Sequence, residues 1–196
     1  MFRTGILLAT FLIVSTALAV DFDMDFHRKY QEAQAEKVFS QRKYAEAQKA
    51  FEELADTAKN AVGEAKWTAR AAVALGRRKG KYEQGLEMAG NLEKRPYAVY
   101  ARMNLMNMKR NYKAIVEAFK DEPISEWPPH QVPEQRRNRA EDVRTYALYY
   151  RGEAFYRNGK GEAAEKDLTK AAELVNDLGL KRDIWLTMAY NRMNNL

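Results

Sequence analysis

Few residues in this 196-residue chain have the types and spacing that catalysis or metal binding requires. The two histidines, His27 and His130, lie far apart in the sequence, and the chain has no cysteine. Metal sites need several ligands at a suitable spacing, which neither histidine has nearby. The acidic pairs at 52–53 and 141–142 are typical of solvated helix faces, and Gly159 and Gly161 of a turn. We therefore predict no catalytic residue, no metal and no cofactor.

The first twenty residues have the pattern of a secretory signal peptide. Arg3 supplies a positive charge, the uncharged apolar run Gly5–Val20 follows, and Ala17-Leu18-Ala19 offers a small-x-small cleavage site. An uncleaved membrane anchor or a buried core helix are the alternatives, but this run is shorter than the roughly 20 residues of a membrane span. We predict cleavage after Ala19 and an exported, periplasmic or extracellular protein. Without cysteine, such a protein gains no disulfide and no N-terminal lipid.

Beyond Asp25 the apolar residues recur at helical spacing, as in Ala47, Ala50, Phe51 and Leu54, and strand signals are nearly absent. One local pattern occurs four times: a polar turn, then an aromatic or small residue, then a small or short apolar residue that opens a helix. The four copies are separated by 38, 30 and 49 residues, and each follows a segment with helical periodicity. Internal repetition of this kind indicates an array of helix–turn–helix units. The copies are Lys43–Ala47, Lys81–Gly85, Asn111–Ile115 and Lys160–Ala164.

The segment Leu148–Ala171 resembles a nearly complete tetratricopeptide repeat (TPR). Gly152 and Ala164 match the small residues of its two helices, and Phe155 and Leu168 match large packing positions. Repeats two and three depart from the pattern, with Val73 and Met103 where glycine is usual and Gly85 and Ile115 where alanine is usual. The first repeat matches better, at Ala35, Val38, Tyr44, Ala47, Phe51 and Leu54.

This resemblance implies an all-α fold, a right-handed α-solenoid of about four repeats with a C-terminal capping helix. The repeats are expected near 28–60, 66–95, 96–120 and 145–178. The capping helix is expected at 183–196, where Trp185, Met188 and Ala189 on one side would cover the last repeat.

A proline-rich insertion at 121–140 interrupts the repeat spacing. It contains four of the five prolines, including Pro128-Pro129, which cannot lie inside a helix. We predict a loop from Asp121 to Pro133 and a helix that restarts near Glu134. Such a loop is either functional or a tolerated insertion.

In the TPR family the first helix of each repeat lines a concave groove that binds peptides. The resemblance aligns Trp67, Tyr97 and Tyr146 at one repeat position, and Tyr100 and Tyr149 at another, as a ladder of rings flanked by arginines. Rings and guanidinium groups suit an extended, possibly acidic, peptide. The alternative is that the tyrosines pack between repeats and that Trp67 packs at a helix end. The predicted partner-binding residues are Trp67, Arg70, Arg77, Arg78, Tyr97, Tyr100, Asn104, Tyr146, Tyr149, Tyr156 and Arg157. The resemblance also places Lys29, Glu32, Glu36, Asn107 and Glu153 in the groove.

The net charge of +6 and a pI near 9.4 raise the question of an anionic partner. Basic residues cluster at 77–81 and at 136–139. Export argues against nucleic acid, and solvated faces explain the clusters, with an anionic membrane or glycan surface as a weaker alternative.

We thus expect an exported module that binds a protein or peptide in the groove. The alternative is a structural subunit of an envelope or secretion complex without a dedicated groove. An enzyme is the third and least favoured class. The sequence leaves the oligomeric state open.

Overall fold

The computed structural model describes residues 26–132 and 141–194. This part is all-helical apart from one pair of two-residue strands, so the predicted all-α class is confirmed. The predicted signal peptide at 1–19 lies outside the described residues. The helices are α1 (residues 26–40), α2 (Tyr44–Asp56), α3 (Ala61–Arg77), α4 (Tyr82–Gly90), α5 (Arg95–Met108), α6 (Tyr112–Phe119), α7 (Val143–Arg157), α8 (Gly161–Leu174) and α9 (Leu178–Asn194).

Several helices begin at residues whose side chains stabilise a helix N-terminus. The side-chain oxygens of Asn60, Asn111 and Asp142 accept hydrogen bonds from backbone N–H groups in the first turns of α3, α6 and α7. Pro96 lies in the first turn of α5, where its missing N–H has no helical partner to lose. Local chemistry therefore fixes where these helices start.

Helices α1 to α8 form four hairpins, and their internal turns share one backbone conformation. Arg42, Gly80, Arg110 and Gly159 have φ values of 64°, 74°, 55° and 69°, and no other described residue has a positive φ. They are separated by 38, 30 and 49 residues, the intervals of the repeated sequence pattern. A left-handed residue just beyond a helix is a common helix ending. The repetition in the sequence is thus repeated in the backbone.

The hairpins lie side by side, with α3 against α5, α5 against α7, and α7 against α9. Within the second hairpin the approach is close, because a Cβ atom built on Gly85 would lie 2.6 Å from the Cα atom of Gly76. In the fourth hairpin a Cβ on Gly152 would lie 2.8 Å from Leu168 Cγ. One continuous hydrophobic core runs from Ala35 to Ile184.

The segment between α6 and α7 differs most from a simple repeat. A short 3-10 helix, Ile124–Glu126, buries Ile124, and Trp127 is buried directly after it. Strand β1 (Gln131–Val132) then pairs antiparallel with β2 (Glu141–Asp142). Strands of two residues leave no alternating pattern in a sequence, so this ladder was not predicted. The predicted helix start near Glu134 lies outside the described residues, and α7 begins at Val143.

Two helices begin five residues earlier than the predicted ranges. Helix α3 starts at Ala61 rather than near 66, and α9 starts at Leu178 rather than at 183. The Asp177 side chain accepts a hydrogen bond from the N–H of Leu180 at 2.7 Å, which is the cap expected at this earlier start. Within the described ranges, no helix has the length and apolar character needed to cross a bilayer.

Candidate partner-binding surfaces

The predicted aromatic ladder begins at Trp67, and this ring lies in the core. Its plane is nearly parallel to the ring of Phe51 on α2, with ring centres 5.9 Å apart. Trp67 is buried, and the ammonium group of Lys66 lies over its ring at 4.6 Å. The indole therefore packs between the first and second hairpins, as in the packing alternative, although Trp67 lies inside α3 rather than at a helix end.

The tyrosines of α5 and α7 do form a row, but half of that row is interior. Tyr97 and Tyr100 are both buried. Tyr100 contacts Tyr146 edge to face at 5.8 Å, and Tyr146 lies 6.0 Å from Tyr150. Burial raises the pKa of Tyr97 to about 12 and also raises the pKa of Tyr146. The rings expected to receive a peptide instead pack against one another between hairpins.

Three of the polar residues predicted for the groove are hydrogen-bonded inside the fold. Arg70 is fully buried and forms a bidentate ion pair with Glu36 on α1. Asn104 is buried and donates a hydrogen bond to the Tyr150 hydroxyl at 2.8 Å. Arg77 is half-buried and donates to Asn104 Oδ1 at 3.3 Å. Tyr150 was not predicted, although the adjacent Tyr149 was.

Some predicted residues keep part of their surface exposed, mostly on α7. Arg157 is exposed, and its guanidinium carbon lies 5.8 Å from the ring centre of Tyr112 and 5.3 Å from that of Tyr156. Glu153 contacts both Arg157 and Tyr112: its carboxylate forms an ion pair with Arg157 at 3.6 Å and accepts a hydrogen bond from the Tyr112 hydroxyl at 3.4 Å. Burial raises the pKa of Tyr149, the fifth residue of this group, to about 12. We call these five residues the α7 cluster.

The remaining predicted groove residues are spread over α1, the end of α3 and the end of α5. Arg78 is half-buried and donates a hydrogen bond to Gln48 on α2 at 2.8 Å. Lys29 is exposed, while Glu32 and Asn107 are intermediate. The structure therefore separates the predicted site into a buried network between hairpins and a more accessible group, the α7 cluster.

Neither histidine joins a reactive cluster. His130 Nδ1 lies 2.6 Å from the carbonyl oxygen of Pro128, and its ring contacts Tyr97. His27 is exposed on α1. Among the described residues, no group of three or more histidines and carboxylates is placed to hold a metal ion.

Comparison with protein-family models, with curated proteins and with solved structures finds no match.

Helix α9 matches the expected cap only in part. Of the three residues expected to cover the last repeat, Met188 packs partly buried against the core, whereas Trp185 is 60% exposed and Ala189 is exposed. The buried residues of α9 are Leu180, Ile184 and Asn191. Five of the nine large apolar side chains exposed in the described part lie on α9, so apolar surface concentrates at this end. They are Leu178, Trp185, Leu186, Tyr190 and Met193.

Proposed function

We propose that this chain is an exported, non-enzymatic right-handed α-solenoid of four TPR-like repeats and a terminal helix, and that it serves as a structural subunit of a protein assembly. The repeat assignment is supported by the four left-handed turns and by the side-by-side packing of α3, α5 and α7. Repeat arrays of this kind bury a continuous core through their neighbours and present extended surfaces to partners.

One observation favours a structural subunit over a groove that binds free peptides. The rings that would line such a groove, Trp67, Tyr97 and Tyr100, are buried in hairpin contacts. The strongly exposed rings of the C-terminal half, Trp185 and Tyr190, lie on α9. Exposed apolar surface on a terminal helix suits a lasting contact with another folded protein, because its burial would remove a large apolar patch from water.

Site-directed photocrosslinking in intact cells tests this role. A photoreactive residue at Tyr190 of the full chain should give a discrete protein adduct. The same residue at Lys49, which is exposed on α2, is the matched control and should give none. A chain that forms no adduct from α9, or equal adducts from both positions, is not a subunit that docks through this end.

Export rests on the first nineteen residues and has a separate test. N-terminal sequencing of the protein recovered from the envelope or the medium should begin at Val20. Recovery of a chain that begins at Met1 in the cytoplasmic fraction would remove export from the proposal.

Peptide binding at the α7 cluster is the second candidate function. It is favoured by one observation: the guanidinium carbon of Arg157 lies within 6 Å of the ring centres of Tyr112 and Tyr156, while Glu153 and Tyr149 remain partly accessible. A guanidinium group held this way can pair with a carboxylate of an acidic segment. Fluorescence titration with an acidic peptide library should then show binding that Arg157→Ala weakens at least tenfold. Lys160→Ala, a neighbouring exposed cation, serves as the control.

A further inference from the structure

The outer face of α9 is a single apolar stripe with one charged residue. Leu178, Trp185, Leu186 and Met193 are 67%, 60%, 49% and 69% exposed. Their spacing of seven, one and seven residues places them on one side of the helix, opposite Leu180 and Ile184. Arg182 and Ala189 complete the stripe, and both are exposed. None of the helices described in residues 26–132 and 141–194 covers this face.

The positions of the stripe are symmetric about the midpoint between Trp185 and Leu186. Leu178 and Met193 lie equally far from that midpoint along the helix, and so do Arg182 and Ala189. An isologous two-fold interface requires a patch that is complementary to itself. When two copies of α9 run antiparallel about this midpoint, Leu178 of one faces Met193 of the other. Trp185 and Leu186 lie beside the two-fold axis.

We propose that a second copy of this chain covers this face, through antiparallel pairing of the two α9 helices. The inference rests on the proposed role as a structural subunit and names its first partner. The antiparallel register sets Leu178 against Met193 at each end and gathers Trp185 and Leu186 at the axis, with Arg182 opposite Ala189 between them. Each α9 would exclude water from the other, which a polar peptide partner would not do.

Charge also fits this arrangement. Arg182 is the charged residue within the stripe, and its counterpart across the axis is Ala189, so no like charges face each other there. The guanidinium of Arg182 is already paired with Asp183, at 3.0 Å from Nη2 to Oδ1. Near the opposite end, Arg192 Nε donates to Glu165 at 2.9 Å. Arg182 and Arg192 therefore each pair with a carboxylate of their own chain.

The surface shape offers room for partner side chains. Trp185 borders two clefts, one of about 410 Å³ beside Leu178 and Leu186, and one of about 490 Å³ between α8 and α9. The second cleft has Ala172 and Ala189 in its wall, which leave space next to the indole. In the antiparallel pair, large side chains of the second copy can enter these clefts as knobs enter holes.

The first experiment measures molar mass by light scattering over a concentration series of the purified chain. The expected molar mass is twice that of the purified monomer, whose own mass is measured under denaturing conditions. Leu186→Glu places two carboxylates against each other at the axis and should raise the dimer dissociation constant at least tenfold. Val62→Glu is the control, because Val62 is similarly exposed at 45% on α3 and should leave the mass unchanged. Circular dichroism checks that both variants keep their helical content.

The second experiment uses the absence of native cysteine to map the register. Leu186→Cys alone should form a disulfide-linked dimer under mild oxidation. Leu178→Cys and Met193→Cys should crosslink efficiently when the two variants are mixed and poorly when each is oxidised alone. Efficient self-crosslinking of Leu178→Cys would mean parallel pairing, and would overturn the inference.

The outcomes separate this inference from the function on which it rests. A chain that stays monomeric, or a dimer that persists in Leu186→Glu, overturns self-pairing. If the Tyr190 photocrosslink then captures a different protein, the role as a structural subunit stands with another occupant of α9. If neither a dimer nor an adduct forms, both proposals fail.

Discussion

The guanidinium group of Arg70 on α3 binds both carboxylate oxygens of Glu36 on α1, at 2.9 Å and 2.6 Å. The same guanidinium lies 4.4 Å from the ring centre of Phe39 and within 3.5 Å of the Tyr100 hydroxyl. Because Arg70 is fully buried, this pair connects α1 to the second hairpin from inside the protein. Burial raises the pKa of the Glu36 carboxyl, and the charge of Arg70 opposes that rise.

Removing one partner of this pair should be far more damaging than removing both. We expect Glu36→Ala to lower the free energy of unfolding by about 3–5 kcal/mol, because it leaves a buried guanidinium without a counter-ion. Urea unfolding followed by circular dichroism measures the change. The double variant Glu36→Leu with Arg70→Met should lie much closer to wild type. Equal losses in the single and double variants would contradict this account of the pair.

Alkaline pH should destabilise the fold through its buried tyrosines. The pKa values of Tyr97 and Tyr149 are raised to about 12 from 10, chiefly by burial. Between pH 10 and 12 the folded state therefore holds protons that the unfolded state has lost, so stability falls as pH rises through this range. The stability that these two tyrosines contribute through their raised pKa values is fully present below pH 10.

Thermal unfolding across pH 9 to 12 measures this loss, with phenolate absorbance reporting ionisation. Tyr149→Phe should reduce the steepness of the fall, since one raised group is removed. Tyr190→Phe, at an exposed ring on α9, is the control and should leave the profile unchanged. A wild-type profile that is flat from pH 10 to 12 would be incompatible with buried phenols.

Two glycines without neighbours should respond to alanine with opposite signs. A Cβ atom on either Gly80 or Gly90 would meet nothing within 4 Å. Gly80 has φ of 74°, so Gly80→Ala should cost about 1 kcal/mol through the backbone alone. Gly90 is the last residue of α4 and has no positive φ, so Gly90→Ala should raise the free energy of unfolding by about 0.5 kcal/mol. Chemical denaturation of both variants tests the turn assignment, which changes of the same sign would refute.

Gly85 should be intolerant of any side chain. An added Cβ would lie 2.7 Å from the backbone nitrogen of Gly76 and 2.8 Å from the carbonyl oxygen of Ala72. Backbone atoms cannot turn aside, so Gly85→Ala should force α3 and α4 apart and cost about 1–3 kcal/mol. Gly63→Ala is the matched control, because its nearest neighbours lie at 3.5 Å. A Gly85→Ala variant as stable as wild type would show that α3 and α4 do not pack as closely as these distances require.

The helical class was predictable because its signal is local. Spacing such as Ala47, Phe51 and Leu54 decides the period within one helix, and all three are buried. The repeated sequence pattern also predicted the turns of the hairpins, two of which contain the left-handed residues Gly80 and Gly159. The pairing of Gln131–Val132 with Glu141–Asp142 joins two segments on either side of an insertion. A contact between segments this far apart leaves no local pattern in the sequence, so it could not be predicted.

The accessible surface was harder to predict, because exposure depends on neighbouring helices. The TPR resemblance predicted that Tyr100 lines a groove, but α7 comes close enough to cover its ring with Tyr146. Helix α9 has apolar residues on two sides, one including Ile184 and the other Trp185. Periodicity recognises both sides equally, and only the packing against α8 decides which one is buried.

The strand pair has a practical consequence for the insertion that it closes. Val132 pairs with Glu141, and the N–H of Val143 bonds to the His130 carbonyl oxygen at 2.7 Å, so the chain leaves and re-enters the array at one place. Any segment placed between these strands starts and finishes at neighbouring Cα atoms, whatever its length. The protein thus contains a natural graft position, where an epitope or a small reporter domain can be carried without altering the order of the helices around it.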